Sequence, residues 1–293
     1  MFAFLTLPRW FHIIGLLLVL QLGGCSAARL GYNNAPELAY WWLDGYLDFN
    51  SAQTTRVRAD LAGLQTWHRS REMPLVAAQL QKLQGMVSDN VSAGQLCDAY
   101  DEFKPRMQSL LNQTAPTLSA VAPTLKPEQL SHLAVQLDKR SQKWREEWLD
   151  ATPTERNARR LKQLVDRAEM LYGSLDTAQL TMLRSQLASS TMDTALLRRE
   201  SQRRHQDTLQ TLRLIQGGSL SAEQIRVEAK GLLDRALLSP DAAYRSHQQK
   251  LIEENCRTYA ALHNSTSPQQ RSRALETLKN YEADARALMA PRP

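Results

Sequence analysis

The chain has 293 residues, with 36 Lys and Arg against 30 Asp and Glu and a formal net charge of +6. That length can build a sizeable core as one large domain or two small ones. No Gly-rich phosphate loop, G-x-S-x-G elbow or cysteine-nucleophile context is present. The six histidines, His12, His68, His132, His205, His247 and His263, are scattered without an i, i+4 pair. The expectation is a protein without a catalytic constellation, metal site or cofactor, and not an enzyme.

Arg9 precedes an apolar run over 11–20, interrupted by His12 and Gly15. A membrane-crossing helix needs about 20 apolar residues, so a run of this length reads as the core of a signal peptide. The following Leu22-Gly23-Gly24-Cys25 resembles the lipobox of bacterial lipoproteins. That resemblance implies a diacylglycerol on the Cys25 sulfur, cleavage just ahead of it and acylation of the new amino group. Each buried methylene contributes about 0.8 kcal/mol, so several chains anchor durably. Ser26, where the inner-membrane retention signal has Asp, implies the periplasmic face of the outer membrane.

The expected division is 1–24 signal peptide, 25–34 lipidated anchor and short linker, and 35–293 helical periplasmic domain, with a sub-boundary near 115–126 left open. Removing 1–24 leaves 269 residues, and loss of Arg9 lowers the charge to +5. Export argues against nucleic acid as a partner. Envelope proteins, lipid headgroups or lipopolysaccharide phosphates suit a basic surface, as does plain solvation.

Tyr32, Tyr40, Trp41, Trp42, Tyr46 and Trp67 crowd the start of the mature chain. They read either as an interfacial aromatic collar or as the core of a first helical layer. The spacing of Leu38, Trp42 and Tyr46, backed by Leu61 and Leu64, favours core, with Trp41 on a neighbouring face as the candidate exposed aromatic. Cys97 and Cys256 remain as one pair in an oxidising compartment, as a disulfide or two buried thiols.

Nothing alternates with period two for long, and glycine and proline fall between periodic stretches, so the fold class is all-α. The expected architecture is an elongated multi-helix bundle built from antiparallel helical hairpins. Leu130, Leu133, Leu137, Trp144 and Trp148 stripe 129–149; Ala158, Leu161, Val165, Ala168 and Tyr172 stripe 154–172. With Asp150-Ala151-Thr152-Pro153 turning the chain between them, these two segments are expected to pair as a hairpin. Helix starts share one chemistry, a side-chain acceptor followed three residues later by Gln or Glu: Asn50/Gln53, Thr152/Glu155, Asp176/Gln179, Ser221/Gln224 and Ser267/Gln270. Lys126/Gln129 has the same shape with a lysine that cannot accept a bond. Arg198, Arg199, Arg203 and Arg204 crowd one helical stretch, either as a patch for an anionic ligand or as its solvated face. His68 beside Arg69 and Glu72 lacks an identifiable catalytic partner.

Leu125-Lys126-Pro127-Glu128-Gln129, Leu175-Asp176-Thr177-Ala178-Gln179 and Leu220-Ser221-Ala222-Glu223-Gln224 resemble the L-T-x-x-Q element of Spy-like and CpxP-like periplasmic proteins, without its threonine. That resemblance implies a holdase role. Tyr32-Asn33-Asn34-Ala35-Pro36, Trp41-Trp42-Leu43-Asp44, Trp67-His68-Arg69 and Glu72-Met73-Pro74 resemble a family of Gram-negative lipoproteins known only as a domain of unknown function. The combined expectation is a lipid-anchored envelope lipoprotein with a helical binding domain; the alternatives are a Spy-like holdase and an unrecognised hydrolase with a deep polar pocket.

Overall fold

A computed structural model describes residues 23–290, and of 23–27 the backbone alone. Of the expected signal peptide, 1–24, residues 1–22 lie outside the described residues. Among the described residues every regular element is helical: α1 (Gly23–Asn33), α2 (Ala35–Leu47), α3 (Ser51–Trp67), α4 (Met73–Met86), α5 (Ala93–Asp101), α6 (Lys104–Val121), α7 (Pro127–Trp144), α8 (Pro153–Tyr172), α9 (Thr177–Ala188), α10 (Thr194–Gln216), α11 (Ala222–Leu237), α12 (Ala242–Asn264) and α13 (Pro268–Met289).

All five capping pairs read from the sequence form, each with the side-chain oxygen accepting from the third helical amide and the Gln or Glu returning to the cap. A sixth, Ser92/Gln95, starts α5 and was equally legible. At Lys126 the half that lysine permits is present: its backbone N–H donates to Gln129 Oε1 at 2.9 Å. Gly173 ends α8 at φ +77°, where a Cβ would also press to 2.9 Å from Arg273 Cδ. That turn needs glycine for both conformation and space.

Two cores hold the molecule. The first gathers Tyr40, Val57, Val121, Leu125, Leu130 and Ile215 from α2, α3, the α6–α7 junction, α7 and α10. The second gathers Val87, Tyr172, Leu175, Leu183, Leu262 and Leu278 from the end of α4, α8, α9, α12 and α13. A small cluster of Met73, Ala77, Ala285 and Leu288, where α4 lies along α13, extends the second core through Leu80. The stretch 115–126, weighed as a sub-boundary, instead runs through the first core: α6 continues past Pro116 to Val121, and Ala122 and Leu125 are buried.

Each core is stitched by one glutamine device. In the first, the amides of Gln53 and Gln129 bond reciprocally, Gln53 Nε2 to Gln129 Oε1 at 3.3 Å and Gln129 Nε2 to Gln53 Oε1 at 2.8 Å. In the second, Gln179 and Gln270 do the same at 2.9 and 3.0 Å. Each amide also donates to a carbonyl just ahead of the opposite helix: Thr124 O for Gln53, Asp48 O for Gln129, Ser265 O for Gln179 and Ser174 O for Gln270. Two helix starts thereby satisfy one another's polar groups inside an apolar layer.

Two expectations fail here. The segments 129–149 and 154–172 do not form a hairpin. α7 packs on α2 and α10, while α8 packs on α9 and α13. Periodicity identifies the face a helix buries but not its partner, and the turn at 150–152 passes the chain from one core to the other. The short linker expected over 25–34 is also corrected. α1 occupies it and packs on α13, with Arg29 Nε donating to Asp284 Oδ1 at 2.6 Å.

Between α3 and α4 the helical path continues through a π turn, His68–Glu72, in which Met73 N–H donates to His68 O five residues back. Pro74 explains the extra residue, since an unbroken α-helix would set its ring against a carbonyl one turn earlier. The turn directs Arg69 inward: it donates to Leu288 O (2.9 Å) and Asn33 Oδ1 (2.5 Å), and its guanidinium lies 5.1 Å from the Tyr32 ring centroid. His68 Nδ1 meets Tyr32 Oη at 2.8 Å. These motif residues clasp the first described helix to the end of the last.

Candidate functional site

Beside the second core lies an apolar pocket, open to solvent, of about 520 Å³, within the usual range for small-molecule sites, about 300–1,000 Å³. Leu83 and Val87 come from α4 and its end, Leu96 from α5, Leu171 from α8, Ile252 from α12 and Leu278 from α13. Its outer edge carries Tyr100 and Phe103, both exposed. The charged side chain in its wall is Arg167, exposed on α8 one turn before Leu171.

Polar groups in the wall are mostly turned to one another. Tyr172 Oη lies 2.9 Å from His263 Nδ1, and His263 Nε2 lies 2.8 Å from Asp89 O. A carbonyl only accepts, so Nε2–H donates to it, and a neutral ring then accepts the tyrosine proton at Nδ1. Burial lowers the His263 pKa, favouring that neutral ring, and pushes the Tyr172 phenol up to about 12. The amide nitrogen of Gln79, also in the wall, is buried without a hydrogen bond. The arrangement suits an apolar occupant with a polar or anionic end.

Cys97 and Cys256 are joined, with S–S 2.10 Å and Cα–Cα 5.6 Å. The bridge fastens the short α5 to α12, and Cys256 itself lines the cavity. It therefore holds one wall of the site.

Within the arginine run, Arg198, Arg203 and Arg204 are held by groups of the chain itself, while Arg199 is exposed. Arg203 Nε and Nη2 donate to the two oxygens of Glu200 at 2.9 and 3.0 Å, Arg204 Nε donates at 2.7 Å, and Ser239 Oγ at 2.9 Å. Burial would raise the Glu200 pKa, but these bonds outweigh it and hold the carboxyl at about 2. Arg203 and Arg235 share Asp207 as well. Arg198 Nη1 donates to Ser141 O at 2.6 Å, and Arg199 stands 4.0 Å from Asp241. A glutamate placed three and four residues before Arg203 and Arg204 neutralises the run from within its own helix.

Trp41 is exposed, and so are Trp42 and Leu38, which correct the reading of the latter two as core. Tyr40 is the buried residue of α2, with Leu43, Tyr46 and Leu47 packed on the first core. Its phenol meets Thr54 Oγ1 at 3.0 Å and its ring stacks on Phe49. Both stripes of α2 have helical spacing, and this polar anchor selects the one that turns inward. Cys25 lies in α1, where its backbone alone is described. Sequence reasoning missed the cavity and the glutamine pairs. The capping glutamines were the visible signal for the pairs, whereas the cavity arises only from the packing of distant segments.

One family model, that of a family of unknown function (DUF6279), matches residues 45–222, more than half of the chain. No curated protein and no solved structure matches.

Proposed function

Because the chain belongs to the family of unknown function DUF6279, which brings no activity with it, we propose from its own residues that it is a non-enzymatic envelope lipoprotein. It is anchored through Cys25 at the periplasmic face of the outer membrane, and its helical domain binds an amphiphile with one apolar chain and an anionic head. The observation that carries the binding reading is the cavity of about 520 Å³, walled by aliphatic side chains and edged by Arg167. Its interior offers apolar burial, and the guanidinium offers a charge-assisted contact at the mouth. The lipobox at 22–25 and the bridged cysteines support an exported chain.

Displacement of an environment-sensitive apolar dye from the purified full chain tests the site. A long-chain fatty acid is expected to displace the dye at a single saturable site. Arg167→Glu weakens the acid by about tenfold, the loss of one charge-assisted bond, and leaves a neutral monoacylglycerol unchanged. Absence of dye binding, or equal weakening of acid and neutral ligand, contradicts the assignment. Intact mass of the membrane-purified chain tests the anchor separately, because a Cys25→Ser variant loses the lipid mass and leaves the membrane fraction.

A further inference from the structure

The second apolar face of α2 is turned to solvent near the amino end of the described residues. Leu38, Trp41 and Trp42 are 51%, 62% and 57% exposed, and Leu30 on α1 is 65% exposed. Leu38, Trp41, Trp42 and Gly45 share one ridge by helical spacing, and a Cβ on Gly45 would meet nothing within 4 Å. The aromatics are not loose: the Trp42 ring lies 4.9 Å from Tyr46, whose hydroxyl accepts from Arg140 at 3.2 Å. α2 itself is fixed by the buried Tyr40 on its opposite side. A rigid helix thus holds two tryptophans outward, although solvent exposure of that much indole is unfavourable.

We infer that this ledge rests in the headgroup layer of the membrane and sets the orientation of the domain on it. The choice of a lipid surface as occupant follows from position and chemistry. Cys25 lies in α1, the helix directly before α2, so the anchor proposed above, on which this inference rests, brings the ledge to the bilayer. Indole rings favour the membrane–water boundary, where the ring body is buried and the N–H stays hydrated. The rim supplies guanidinium groups for phosphates: Arg58, half-exposed over the Tyr40 ring and paired with Glu37, and Arg140. An anchor in α1 fixes one point of the domain, whereas a second contact along α2 fixes which way the second core faces.

The test uses the full chain purified from membranes and reconstituted into phosphatidylethanolamine–phosphatidylglycerol vesicles carrying brominated acyl chains, with tryptophan fluorescence as the readout. The wild type is expected to be quenched. A Trp41→Phe, Trp42→Phe double variant loses most of that quenching, and a Trp144→Phe, Trp148→Phe variant keeps it. Quenching that is absent from the wild type, as when the ledge is buried between two copies of the chain, overturns the inference. So does quenching unchanged by the Trp41 and Trp42 substitutions. Intact mass at Cys25 reads the anchor independently: an unlipidated chain whose ledge is still quenched removes the anchor and keeps the ledge, and a lipidated chain without quenching does the reverse.

Discussion

The two halves of the molecule use the same stitch to different ends. In each, two helix starts meet through a reciprocal glutamine pair, Gln53 with Gln129 and Gln179 with Gln270. In each, a leucine ahead of a capped helix, Leu125 or Leu175, goes into the core. The first half carries the outward ledge on its α2. The second half borders an apolar space of about 520 Å³ and closes one wall of it with a disulfide. The comparison teaches that the capped leucine-and-glutamine elements are joints of the fold, while the open space of the second half lies among α4, α8, α13 and the bridged pair α5 and α12.

Removing the bridge breaks this contrast most severely. It closes a loop of 159 residues, and the chain-entropy account assigns such a loop about 5 kcal/mol. Cys97→Ser with Cys256→Ser is expected to lower the urea midpoint strongly and to raise hydrogen exchange in α5 and α12, with α2, α3 and α7 least affected. Uniform loss of protection would mean that the halves do not differ in this way.

Matched cavities in the two cores come next. Leu183 and Ile215 are both fully buried, so Leu183→Ala and Ile215→Ala should each cost about 3–4 kcal/mol. Ligand affinity should fall in Leu278→Ala, which lines the site, and hold in Ile215→Ala, as a dye titration would read.

The ionic seam between α10 and α11 gives a pH signature. The Glu200 carboxyl sits at about 2 in the folded chain, against about 4.3 when unfolded. A depressed pKa adds stability that is present above the unfolded value and is lost as pH falls from about 4.3 toward 2, about 3 kcal/mol in all. Glu200→Gln should therefore be less stable by about that amount at pH 7, and its melting temperature should converge with that of the wild type as the solution is acidified. A constant gap down to pH 2 would contradict the assignment.

The smallest effects separate joints from ordinary caps. Gln179→Met leaves the Gln270 amide and the Ser265 carbonyl without their partner and should cost about 2 kcal/mol, as should Gln53→Met. Gln224, exposed and bonded in its own capping box, should cost at most about 1 kcal/mol when changed to Met. Equal costs at all three would remove the distinction.

Much of the fold was legible because it is local. Caps, helix starts and the all-helical class follow from nearby residues, and the capping boxes formed where an acceptor preceded Gln or Glu. What failed was long-range: α7 and α8 carry good stripes yet join different cores, and α2 carries two apolar stripes between which only Tyr40, with its hydroxyl bonded to Thr54, decides. The internal pairing of Arg203 and Arg204 was not legible because their partner, Glu200, lies within the run, and a linear charge count does not show which side it faces. The cavity needed five helices and the end of α4 from distant parts of the chain, so no window of sequence contained it.

Hydrogen exchange of the full chain with and without a saturating long-chain fatty acid tests the division most directly. The account predicts added protection in α5, α8 and α12 around the cavity, and none in α2, α3 and α7. Protection spread evenly over both halves, or none anywhere, would contradict it.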